Sequence, residues 1–295
     1  MGTSHRHTAK IAGEPNWGNA SAAVAGIARA EEKLDELDNE QEGTKESDEN
    51  NEKDEDEQKK PTTTTDSAKI AKRQRQLDNQ IRRNYHKAVR YLVKAAGGRG
   101  SVSSGASRAI GHAGVSIANS FVSAFSEIIK NGLSDWLERR GVASLDGKSC
   151  QDVIDLIRSY IEEGVAGMDS TAANAALEFV LDELDQMIGD DLSEFEKTMN
   201  AIMASEDIKV LLDKFFGMYI FSHLSQNFKE KLEYGKGTKV ANETMNEIRE
   251  LILDDIQRNL SGSDASRIDW STAEGEAFIQ AEFDRILYIL MGNED

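Results

Sequence analysis

The chain reads as an all-α protein, a multi-helix domain preceded by a flexible tail and an acidic linker. Three observations predict the class. Apolar residues recur at helical spacing through most of the second half, valine and isoleucine nowhere alternate with polar residues over a strand's length, and only 2 prolines interrupt 295 residues. The same composition narrows the function classes. A 295-residue chain that is 39% hydrophobic can bury a sizeable core. A single cysteine, Cys150, excludes a disulfide framework and a cysteine-based zinc site, and fits a reducing compartment. No run of about 18 apolar residues is present to span a membrane, and the start lacks the charged-then-apolar pattern of an export signal. A cytoplasmic location is therefore expected.

A net charge of -18 conceals a segregation. Residues 31 to 57 carry 15 acids and 3 lysines, residues 69 to 108 carry 11 Lys and Arg against Asp78 alone, and the remainder is acidic again. An acidic run of this kind repels itself and has little to bury, which predicts a solvated linker, with a mask for the basic run as the other use.

Taken in order, residues 1–18 are polar and aperiodic and predict a flexible tail. Asn19 or Ser21 is placed to cap a short helix over 19–40, with Ile27, Leu34 and Leu37 on one side. Residues 41–66 predict a disordered linker, and about 25 flexible residues would span roughly 25–30 Å. The all-helical domain then occupies 67–295. Its first helix starts at Asp66 or Ser67, carries Ile70, Leu77, Ile81, Ala88 and Leu92 in one stripe, and stops at Gly97-Gly98. Arg73, Arg75, Arg82, Arg83, Lys87, Arg90 and Lys94 cover much of the rest of its surface.

Residues 103–125 crowd Gly105, Ala106, Ala109, Gly111, Ala113, Gly114 and Ala118 into one helical segment, which predicts either a close helix crossing or a docking face. Ser149 with Asp152, Asp169 or Ser170, Ser193 with Glu196, and Ser271 with Glu274 mark further helix starts. Residues 206–234 are apolar on every side and predict the centre of the core.

Catalytic patterns are scarce. Gly141 to Ser149 resembles a phosphate loop with one residue too many, and it follows a helix rather than a strand. His5, His7, His86, His112 and His223 include no HExxH and no pair four apart, and Cys150 has no histidine nearby in sequence. No cofactor, no metal and no catalytic residue is expected. The basic helix, together with Arg108, is the candidate contact for nucleic acid or an acidic partner, although the acidic body would repel DNA.

Met1-Gly2-Thr3-Ser4 offers different chemistry. Removal of methionine exposes a glycine amine whose pKa lies near ~7.7–8, so about a tenth or more is unprotonated at neutral pH. Myristoylation competes for such a glycine, but that pattern wants Ser or Thr where this chain has Arg6.

The MGTS start, the helix RRNYHKAVRYLVKAAGG, the following SSGASRAIGHAG and the acidic helical remainder resemble the QatB component of bacterial Qat anti-phage defence systems. The resemblance implies a non-enzymatic adaptor working with a QueC-like enzyme, a P-loop ATPase and a TatD-like nuclease. It further implies that the QueC-like enzyme joins a 7-deazaguanine group to Gly2, with Thr3 and Ser4 recognised. Trp17 is added on its own chemistry, as a residue able to seat the tail. Two other readings stay open: a nucleic-acid-binding protein using the basic helix, and a helical scaffold without chemistry.

Overall fold

The structure, a computed structural model, describes residues 14–49, 63–142, 144–162, 167–189, 191–260, 265 and 268–292. Among these there are eleven α-helices, one 3-10 turn and no strand. The helices are α1 (Glu14–Glu49), α2 (Thr63–Ala95), α3 (Arg99–Ser103), α4 (His112–Asn131), α5 (Leu133–Glu138), α6 (Cys150–Ile161), α7 (Met168–Ile188), α8 (Phe195–Met203), α9 (Asp207–Lys236), α10 (Thr238–Arg258) and α11 (Ala273–Leu290). The expected fold class is the observed one.

The helix α9 is the axle. Leu211, Phe215, Phe216, Met218, Ile220 and Leu224 point in several directions and all are buried, so neighbours must surround it. It packs against α7, α10 and α11, and a Cβ on Gly217 would come within 2.4 Å of Ile256 on α10. That missing side chain sets how closely α9 and α10 approach.

Three charged side chains are buried between α9 and α11, and a fourth, Arg285, reaches them from the margin. Lys209 Nζ lies 2.8 Å from both Asp213 and Glu282, and Arg285 reaches the same two carboxylates at 2.5 Å. Two cations face two anions, which is what makes their burial tolerable. Burial and the adjacent Glu282 push the Asp213 carboxyl up, against the pull of Lys209 and Arg285.

Three boundaries differ from expectation. The helix α1 starts at Glu14, inside the expected tail, and runs on to Glu49, inside the expected linker; α2 begins at Thr63. Pro15 falls in the first turn, where a missing N–H costs nothing. Residues 40–49 are rich in Glu, Gln and Lys, good helix formers that need no apolar face. Of the expected linker, 50–62 lie outside the described residues. Nor is α1 held apart from the body. It lies along α2 and touches α9 and α10, burying Ala20, Ala23, Val24, Ile27, Ala28 and Leu37. The segment 103–125 also divides: α3 ends at Ser103, a turn follows, and α4 starts only at His112.

Several caps move by a residue or change partner. Ser149 and Asp152 form the expected reciprocal box at the start of α6. The loop resembling a phosphate site is therefore the lead-in to a capped helix. Ser193 instead bonds to Asp191, while Glu196 turns away and accepts the first N–H of α5 at Leu133 (2.6 Å). Thr272, rather than Ser271, caps α11.

Candidate functional site

The site begins where two glycines let helices approach. Gly111, just ahead of α4, has φ +121°, and a Cβ there would sit 2.2 Å from the Val102 carbonyl oxygen. A Cβ on Gly114 would sit 2.6 Å from the Tyr219 ring. These small residues are spent on an internal crossing, one of the two uses the sequence allows. The crossing brings the Tyr219 hydroxyl, on α9, to the Gly111 N–H at 2.5 Å.

Asp169 completes the arrangement. It stands in the first turn of α7, and its carboxylate accepts from the N–H of Gly111 (3.3 Å) and Ala113 (2.8 Å), the Tyr219 hydroxyl, and His223 Nε2 (3.1 Å). The first N–H groups of a helix lack intrahelical partners and carry its positive dipole end. Here a carboxylate from another helix supplies what a local cap does not. Burial alone would raise the Asp169 carboxyl, but the hydrogen bonds from His223, Tyr219 and the Ala113 N–H outweigh it and hold it below the ordinary carboxylate range. Burial, followed by the nearby Asp169 charge, pushes the Tyr219 hydroxyl well above its usual range, so it stays a donor.

Beside this cluster opens a cleft of about 580 Å³. Arg108, His112, Asp169, His223 and Asn227 line it, and Trp17 closes one side. His223 is 1% exposed, yet it borders the opening. The sequence pattern gives His112 and His223 no metal or catalytic spacing and does not connect Asp169 to either. One signal was available: a histidine inside the central run of a helix apolar on every side, four residues after a tyrosine, must find a buried polar partner. The chain does not announce that partner, which lies 54 positions away.

The predicted site residues divide. Gly2, Thr3 and Ser4 lie outside the described residues. Trp17 is in the first turns of α1, its ring tilted against Phe228 at 6.2 Å. Arg82 is occupied, binding Asp254 (2.5 Å) and Asp255 on α10. Arg90 donates to the Met291 carbonyl at 2.8 Å. Arg73, Arg75, Arg83 and Lys87 are exposed on α2, and Arg108 is exposed at the cleft. The candidate contact set is thus broken into internal struts and a free outer face. Among the described residues no group of three or more His, Cys, Asp or Glu is placed to hold a metal ion. No helix there is long and apolar enough to cross a membrane.

The family described as Qat anti-phage system associated protein QatB matches over residues 100–290, from α3 to the end of α11. The chain belongs to the QatB family. No curated protein and no solved structure matches it. The QatB match contains Arg108, His112, Asp169, Tyr219, His223 and Asn227, hence the polar cluster and most of the cleft. Trp17 and all of α1 and α2 fall before it. Membership of QatB assigns the chain a role in Qat anti-phage defence and partners within that system.

Proposed function

We propose that the chain is a non-enzymatic adaptor and modification substrate, whose Gly2 amine, after methionine removal, is joined by a QueC-like partner to a 7-deazaguanine group. The P-loop ATPase and TatD-like nuclease of the same system are its further partners. The single observation carrying this reading is the QatB match, set beside the Met1-Gly2-Thr3-Ser4 start. The amine supplies the lone pair for the new bond and gives up a proton. The bond between the 7-deazaguanine group and its activating group breaks, and that leaving group departs in the partner's site, which supplies the activation. Thr3 and Ser4 present little bulk to a narrow cleft.

Coexpression with a QueC-like enzyme of the same system tests this by intact mass and peptide mapping. The expected result is one adduct on the first peptide, lost in Gly2→Ala at unchanged helix content. No adduct, or one on a lysine, discards the acceptor role.

The exposed Arg73, Arg75, Arg83 and Lys87 favour a second reading, docking of the outer face of α2 on nucleic acid. Binding to DNA or RNA that falls steeply with salt, and weakens in Arg83→Ala with Lys87→Ala, would favour it. Arg82 and Arg90 are unsuitable for that test because both hold the fold together.

A further inference from the structure

The cleft beside Asp169 plays no part in the acceptor chemistry. We propose that it binds a small planar aromatic ligand carrying an anionic group, on the scale of a nucleoside monophosphate. Its volume of about 580 Å³ lies within the range of small-molecule sites, and it combines apolar walls with a few convergent polar groups. Trp17, Ala109, Ala113 and Met168 provide the apolar surface. Met168 is 49% exposed, so part of its apolar surface is open to an incoming ring. Trp17 offers an indole partly buried on Phe228, which fixes its ring without covering it fully.

The anionic half follows from charge. Arg108 borders the cleft, is exposed, and makes no ion pair among the described residues. His112 lies four residues on, also exposed and also at the cleft. The start of α4 is nearby, but it is not the anion site, because Asp169 already takes its Gly111 and Ala113 N–H groups. An incoming anion must rest on side chains, which makes Arg108 its determinant. The Asp169 charge is compensated by four donors. Asn227 spends its amide N–H on the His223 carbonyl (2.7 Å), leaving Oδ1 as an acceptor for a ring N–H.

This site stands apart from the acceptor reading, since it needs neither Gly2 nor conjugation. Tryptophan fluorescence of the full chain tests it. Trp136 and Trp270 are 1% and 9% exposed, so Trp17 is the responsive reporter. Adenosine and guanosine monophosphates are expected to quench saturably. Arg108→Ala, checked for unchanged helix content, should weaken both by about tenfold or more, the loss of one charge-assisted contact. Adenosine should bind the unaltered protein about as weakly as the nucleotide binds Arg108→Ala, and Trp17→Ala should weaken nucleotide binding measured by calorimetry. No saturable quenching at millimolar nucleotide, or unchanged affinity in Arg108→Ala, would overturn the proposal. Inorganic phosphate binding as tightly as the nucleotides would overturn its aromatic half.

Discussion

The junction of α4, α7 and α9 and the hairpin of α1 and α2 solve the same packing problem by different means. At the junction, helices meet through glycines with no spare room, and a buried carboxylate ties three elements together. In the hairpin, alanines supply the close contact and charged side chains bridge at its margins. Glu32 meets Lys236 at 2.6 Å, Glu31 accepts from Thr244 at 2.5 Å, and Arg82 meets Asp254 and Asp255. The junction lies within the family match and the hairpin lies before it. The difference separates a part whose geometry is over-determined from a part held by many small, adjustable terms.

The largest test of that contrast is a pair of glycine substitutions. Gly111→Val places a branched side chain at φ +121° against a backbone carbonyl, and should cost ~3 kcal/mol or more in chemical denaturation. Gly26→Ala, in α1, meets the amide end of Asn84, which can swing away. Its cost should be about 1 kcal/mol or less, offset in part by alanine's better helix propensity. Equal losses would mean the hairpin is as rigid as the junction.

A second pair compares the polar anchors. Asp169→Asn leaves His223, Tyr219 and two helix N–H groups without their carboxylate, and ~2–4 kcal/mol of stability should disappear. Lys236→Ala removes the pair with Glu32, both side chains partly open to water, and should cost ~1 kcal/mol or less after solvent screening.

The smallest effect is the most diagnostic, because the two regions should respond to pH with opposite sign. Asp169 has a folded pKa below its unfolded value, so its contribution is present above the ordinary carboxylate range and is lost as pH falls through the folded value. Glu31 is pushed up to about 7, first by burial and then by Glu247, Glu243 and Asp35, with the Thr244 hydrogen bond opposing. Its contribution is full below the unfolded value near 4.5 and is lost as pH rises through about 7. Hydrogen exchange in α1 should therefore quicken from pH 6 to pH 8 after correction for intrinsic rates, and Glu31→Gln should flatten the trend. An unchanged trend in that variant would assign it to other groups.

Much of the fold was legible in the chain because it depends on local spacing. The stripe through Leu77, Ile81, Ala88 and Leu92, the Ser149–Asp152 cap and the all-round apolar α9 each announce themselves within a few turns. The far end of α1 is less legible, because residues 40–49 form helix without an apolar face to mark it. Ser193 and Glu196 fitted a capping pattern and then took other partners.

The sequence by itself determined the helical class, the core axis and the absence of a cysteine framework. Each follows from composition or from residues a few positions apart. Only the tertiary structure decided that Arg82 is a strut, that Trp17 walls a cleft, and that Asp169 caps α4 while holding His223. Those pairings join residues from 54 to more than 200 positions apart, Trp17 and Phe228 being the most distant, and a long-range contact is chosen by how helices pack, which no local period records.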